Sequence, residues 1–251
     1  ENQKSGQYPH LASINTPEDL KNMPAQELPS LADEIRSCIL ERVGENGGHL
    51  ASNLGAVELT LAIHRVFSSP RDHIIFDVGH QSYTHKLITG RREDFVTLRK
   101  GGGISGFPKR SESEYDAFGV GHSSTSVSAA LGFAEAAKML GQSHKSIALI
   151  GDGSLTGGLA FEGLNNVSSS PNDLLIILND NNMSIDRSVG GMKQYLLSLN
   201  TNETYNKIRF RTSQWLAERG FMNEQRKKGI IRFGNALKAA ISHQQNMFEG
   251  L

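Results

Sequence analysis

Several features are scarce or missing in this sequence, and each absence narrows the reading. There is one cysteine in 251 residues, Cys38, so no intramolecular disulfide can form. Ile35, Cys38, Ile39 and Val43 fall at helical spacing. That makes the thiol a buried packing group rather than a nucleophile. No apolar stretch approaches the ~18 residues of a membrane span, and the strongest run is Leu174 to Leu178. The first residues, Glu1-Asn2-Gln3-Lys4-Ser5, lack the basic-then-apolar order of a signal peptide. Neither sign of charge is in excess: 26 Lys and Arg face 26 Asp and Glu. This removes any electrostatic reason to expect nucleic acid or an acidic membrane as partner. Internal repeats and low-complexity tracts are also absent. The chain reads as soluble and cytoplasmic, and its lone thiol fits a reducing compartment.

What is present is an alternation of two apolar patterns. Leu28, Leu31, Ile35, Ile39 and Val43 step by three and four, predicting a helix over 28–44. Leu54, Val57, Leu61 and Val66 predict another over 53–67, with Asn53 placed to cap it. Small residues from Ser126 to Leu140, and the stretch Thr156 to Val167, predict two more. Between them, 73–78, 146–150 and 174–178 are short continuous apolar runs. Such runs, separated by helices, predict strands of a parallel sheet buried on both faces. The expected fold class is α/β, an open and mostly parallel sheet flanked by helices. Its core covers about 28–183, followed by an irregular excursion over 184–229 and a last helix over 230–248. The stretch 100–119, rich in glycine, is too long for an ordinary connection and is expected to be functional or disordered.

Two constellations carry chemistry. In the first, Gly151-Asp152-Gly153-Ser154 ends one predicted strand and Asn179-Asp180-Asn181 ends the next. In open α/β sheets the carboxyl ends of adjacent strands line a ligand crevice. A carboxylate from Asp152, the side-chain carbonyl of Asn181 and the backbone carbonyl of Met183 make an oxygen set suited to Mg²⁺, which commonly shares its ligands with phosphates. Gly153 and Ser154, ahead of a helix, offer backbone donors to a diphosphate. The plainer alternative is a turn that happens to hold an Asp. A dinucleotide turn fits less well, because Asp152 would face a pyrophosphate with no metal between them. The acidic ribose partner expected about 20 residues on is also missing.

The second constellation is histidine. Of the nine, three follow glycine at the edge of a predicted element: His49, His80 and His122. Histidine exchanges a proton near neutral pH. A lone turn histidine is more often structural, but three in the same setting suggest the rim of an active site. His10, His64, His73, His85, His144 and His243 lack that setting and are read as structural or surface residues.

A family resemblance now covers the chain from about Tyr8 to Gly191, and more loosely to the end. Its blocks are His49 to Ser52 with Val57 to Thr60, Phe76 to Tyr83, His85-Lys86, Thr89 to Arg92, and Gly106-Phe107-Pro108. Ser111 to Asp116, Gly121 to Ser126, Gly151 to Ser154 and Asn179 to Asn181 complete the set. Together they resemble 1-deoxy-D-xylulose-5-phosphate synthase, a transketolase-like enzyme. The resemblance implies a thiamine-diphosphate-binding fold, with thiamine diphosphate and Mg²⁺ as cofactors. It also implies a reaction in which pyruvate adds to the cofactor, CO₂ leaves and the two-carbon unit joins glyceraldehyde 3-phosphate, feeding isoprenoid and thiamine biosynthesis. By position it assigns the metal to Asp152, Asn181 and the Met183 carbonyl. The cofactor falls to His80, Gly121, His122, Ser123, Gly153, Ser154 and Asn181. Proton transfer falls to His49, with His80 also near the reacting centre.

Asn182 departs from a position that is often acidic in the family. The family has three domains and acts as a homodimer, and the glutamate that activates its cofactor lies in the second domain. The chain is therefore expected to be silent alone and to need the downstream domains. Two alternatives stay open, a naturally split subunit and a non-catalytic cofactor-binding module. Glu58, within the predicted 53–67 helix, is read as a helix or packing residue and not a substitute for that glutamate.

Overall fold

A computed structural model describes residues 7–169 and 172–180. The expectations for Asn181, Met183, 184–229 and 230–248 fall outside them.

Three parallel strands form the sheet: β1 (His73–Phe76), β2 (Ser146–Gly151) and β3 (Leu174–Asn179), in the order β1-β2-β3. The register sets His73 beside Ser146 and Ser146 beside Leu174, and it runs on to Gly151 beside Asn179. This is the open parallel α/β sheet expected from the alternating patterns. The helices are α1 (Pro9–Ala12), α2 (Pro17–Asn22), α3 (Leu28–Asn46), α4 (Ala51–Leu54), α5 (Val57–Val66), α6 (Tyr83–Ile88), α7 (Ser126–Met139), α8 (Asp152–Leu155) and α9 (Gly158–Val167).

The stripe on α3 buries Leu31, Ile35, Ile39 and Val43 against Leu11, Leu20, Tyr83, Leu87, Phe95 and Leu98. Cys38 is buried in the same cluster, as its spacing requires. A second cluster joins Ile63 to Ile74, Phe76, Ile147 and Leu149 of the sheet. Small residues let α7 pack closely against both β1 and β2: Ala130, Ala134 and Ala137 are all buried. The same economy brings α9 onto α7. A Cβ at Gly163 would lie 2.8 Å from Ser128 Oγ and 3.2 Å from Val127 Cγ1.

Three expectations need correction. The single helix over 53–67 is two, α4 and α5, broken around Gly55, and Asn53 is no N-cap but a fully buried residue inside α4. The helix expected from Thr156 is preceded by its own one-turn helix, α8, so Asp152, Gly153 and Ser154 lie within a helical turn. β1 and β2 are buried as predicted, but β3 is only half-buried, with Leu175 42% exposed. Among the described residues β3 pairs on one side only.

Candidate active site at the carboxyl ends of the strands

Because the strands are parallel, Asp77, Asp152 and Asp180 all follow their carboxyl ends at one edge of the sheet. After β1 the chain turns sharply. Val78 and Gly79 have φ of 60° and 86°, and Gly79 N–H donates to the Asp77 carbonyl at 2.5 Å. A Cβ at Gly79 would lie 2.5 Å from both Pro108 Cδ and Val120 Cγ2. Only glycine suits this backbone and this close approach. Asp77 is fully buried and accepts the N–H of Ser126 at 2.9 Å, placing a carboxylate at the N-terminus of α7. That contact anchors the His122 turn, which immediately precedes α7.

The three expected histidines converge. The His49 and His80 ring centroids are 5.6 Å apart, and each lies 6.3 Å from that of His122. The tie between the first two is Asn53. Its Nδ2 donates to the carbonyls of His49 (2.5 Å) and His80 (2.6 Å), and its Oδ1 accepts the N–H of Tyr83 (2.9 Å). Two carbonyls and one N–H admit only this orientation of the amide. Tyr83 adds a second link, since its hydroxyl accepts from His49 N–H at 3.4 Å.

Burial lowers the pKa of His49, helped by the charges of Arg99 and His122. Burial likewise lowers that of His80, helped by His49 and His122 and opposed by Asp77. Both imidazoles are therefore held towards the neutral form. Nδ1 of each is buried without a hydrogen-bond partner among the described residues, which leaves a polar position for a bound group to satisfy.

The turn expected to receive a diphosphate adjoins the turn that carries His122. A Cβ at Gly157 would overlap the Ser124 side chain, so the 121–125 turn and the 152–157 turn are in contact. At Gly121 and Gly153 an added Cβ would meet nothing within 4 Å among the described residues, so these leave open space at both expected cofactor positions. Ser123 is exposed, while Ser154 and Asp152 are half-buried. Among the described residues no group of three or more His, Cys, Asp or Glu side chains could hold a metal ion. The expected set has only one such side chain, Asp152, and its partners Asn181 and Met183 lie outside the described residues. The part that is described fits a metal-bound diphosphate: a carboxylate at the end of β2, open space at the glycines and unsatisfied imidazole nitrogens beside it.

Sequence reasoning missed Asn53, Asp77, Tyr83 and Phe107. The Phe107 ring lies 5.8 Å from the rings of both His49 and His122. It also missed a buried polar network behind the site. Arg91 donates twice to Asp116 (2.7 and 2.9 Å), and His85 Nε2 lies 2.9 Å from Asp116 Oδ1. His64 Nε2 is 2.9 Å from His85 Nδ1. Burial raises the Asp116 pKa, but hydrogen bonds from His85 and Arg91 outweigh it and hold the carboxyl well below its usual range. With Asp116 ionised, His85 donates from Nε2 and accepts at Nδ1, so His64 donates from Nε2. That leaves His64 Nδ1 as a buried acceptor, and among the described residues it has no partner. His64 and His85 thus belong to a buried polar network, and Glu58 pairs with Arg36 at 2.5 Å on the helix surface.

Glycine turns at the carboxyl ends of parallel strands define the class first: an α/β protein with an open parallel sheet flanked by helices. The model of the 1-deoxy-D-xylulose-5-phosphate synthase family matches residues 11–251, and the chain belongs to that family. Relatives named 1-deoxy-D-xylulose-5-phosphate synthase share this sequence closely. The protein from Azobacteroides pseudotrichonymphae is 56% identical over 99% of the chain. That from Phocaeicola vulgatus is 56% identical over 97%, and that from Porphyromonas gingivalis 54% over 94%. The chain spans 39%, 39% and 37% of the lengths of these relatives. Among the described residues no helix is long and apolar enough to cross a membrane.

Proposed function

We propose that this chain is the thiamine-diphosphate-binding portion of a synthase that makes 1-deoxy-D-xylulose 5-phosphate from pyruvate and glyceraldehyde 3-phosphate. The observation that carries the reading is the convergence of His49, His80 and His122 beside the Gly151–Gly157 turn. In this reading Asp152, with Asn181 and the Met183 carbonyl, holds Mg²⁺. His80, Gly121, His122, Ser123, Gly153 and Ser154 hold the cofactor. Bound thiamine diphosphate supplies the electron sink for decarboxylating a 2-keto acid.

The chain's own residues do the rest. Asn53 fixes the His49 and His80 turns in one geometry. His49, kept neutral by burial, can accept or donate a proton at the substrate carbonyl near pH 7. Phe107 and the surrounding turns exclude water, which strengthens the electrostatic contacts inside. Residues outside this chain complete the site, including the glutamate the family uses on its cofactor, so the 251 residues alone are catalytically silent. The full-length protein works as a cytoplasmic homodimer in the same reading.

The test is a steady-state assay with pyruvate, glyceraldehyde 3-phosphate, Mg²⁺ and thiamine diphosphate. The full-length protein turns over, and His49→Ala loses about 10²- to 10⁴-fold in rate while still binding cofactor. A His49→Ala enzyme within a few-fold of wild type removes His49 from the mechanism. Turnover by the 251 residues alone, absent from a parallel Asp152→Ala preparation, shows the site to be complete without the rest.

A further inference from the structure

The stretch 100–119 was expected to be functional or disordered, and buried charge anchors part of it. Glu112, with 14% of its side chain exposed, accepts Lys86 Nζ at 2.7 Å and the backbone N–H of Ser105 at 2.6 Å. Asp116, fully buried, accepts Arg91 and His85 and also the backbone N–H of Lys109 at 2.7 Å. The two backbone donors that flank Gly106-Phe107-Pro108 therefore both end on carboxylates, and buried side chains on and just after α6 hold those carboxylates in turn. Pro108 lies against Gly79, and Phe107 packs on His49 and His122.

We propose that Glu112 and Asp116 are positioning residues. Acting through Ser105 and Lys109, they set Phe107 as the wall that shuts water away from His49. Lys86 and Arg91 are buried cations. A buried cation is costly unless paired, and here each pairing carboxylate also holds one end of the Phe107 loop. Burial is the largest influence lowering the His49 pKa, and the Phe107 ring lies 5.8 Å from the His49 ring. Among the described residues, the titratable groups facing His49 are Arg99 beyond α6, His80 after β1, His122 before α7 and the Tyr83 hydroxyl on α6. None of them belongs to the network.

The test is the titration of His49 by NMR in the full-length protein with labelled histidine, the signal being assigned with His49→Gln. Because it is read without cofactor or substrates, it stands apart from the reaction proposed above. Phe107→Ala moves the His49 midpoint upward towards the ordinary histidine value, and Phe107→Leu keeps it low. Glu112→Ala moves it in the same direction as Phe107→Ala, and the double variant adds nothing beyond Phe107→Ala alone, the non-additivity expected of residues acting as one unit. Merely structural carboxylates would lower the melting temperature and leave this midpoint in place. The proposal is overturned if Phe107→Ala leaves the midpoint unmoved, or if Glu112→Ala folds and keeps the wild-type midpoint. Should Glu112→Ala fail to fold, hydrogen exchange of the wild-type protein decides. Protected Ser105 and Lys109 amides support the positioning, and exchange at free-loop rates overturns it.

Discussion

Replacing Asn53 by alanine removes three hydrogen bonds at once, and all three lie where the candidate site is assembled. The His49 carbonyl loses its bond at 2.5 Å, the His80 carbonyl its bond at 2.6 Å, and the Tyr83 N–H its acceptor at 2.9 Å. The residue is fully buried, so water does not readily replace them. The His80 carbonyl keeps a long contact from the Ser52 hydroxyl at 3.4 Å. A buried group left without a partner costs about 1–3 kcal/mol. Two strongly orphaned groups and one partly compensated carbonyl therefore put Asn53→Ala at roughly 3–5 kcal/mol. Asn53→Asp sharpens the reasoning. It preserves shape and the acceptor for Tyr83, but turns an ionised oxygen towards two carbonyl oxygens. It should cost at least as much as alanine near neutral pH and recover on acidification, when a protonated carboxyl can donate to one carbonyl. Urea denaturation measures both, with the m-value unchanged. If both variants unfold within about 0.5 kcal/mol of wild type, the scatter of an ordinary surface change, then Asn53 does not tie the two turns.

Further outcomes follow from the same geometry. His64 is held well below the ordinary value of 6.5 by burial, then by His85, Lys21 and Arg91; His85 is also lowered by burial, against Asp116. The unfolded chain therefore binds more protons than the folded one as pH drops below about 6.5, and stability falls by up to ~1.4 kcal/mol per pH unit for each such histidine. The depressed Asp116 adds to that loss only below about pH 4, where the unfolded carboxylate begins to take up a proton. Urea midpoints at pH 7.5 and 5.5 should drop for wild type and drop less for His64→Gln; equal slopes would remove His64 from the account. Gly79→Ala combines a positive φ with overlap on Pro108 and Val120, and should destabilise by about 2 kcal/mol or more. Gly153→Ala, with open space around it, should melt within about 0.5 kcal/mol of wild type yet weaken cofactor binding. Thermal melts with and without thiamine diphosphate separate the two, and equal melting losses would contradict the geometry.

The parts of the fold that repeat locally were legible in the sequence. The α3 stripe, the apolar runs of β1 and β2 and the glycine-flanked histidines each declare themselves within a few residues. The breaks at Gly55 and around Thr156 were not, because apolar spacing continues across them and hides the change of direction. Asn53 looked like a cap for the same reason: a polar residue before an apolar helix also describes a buried amide bridging two turns. The Lys86, Arg91, Glu112 and Asp116 network joins residues about two dozen positions apart. Nothing local distinguishes such charges from solvated ones. β3 carried the apolar signature of a strand buried on both faces, but burial depends on neighbours that the strand's own residues do not specify.

In the proposed function the carboxyl end of β2 is one side of a metal-bound diphosphate site. Isothermal calorimetry of thiamine diphosphate with the full-length protein, in the presence and absence of Mg²⁺, tests it most directly. Wild type should bind the cofactor in a metal-dependent manner, and Asp152→Ala should lose that dependence and most of the affinity while melting like wild type. Unchanged, Mg²⁺-dependent binding by Asp152→Ala would contradict the account.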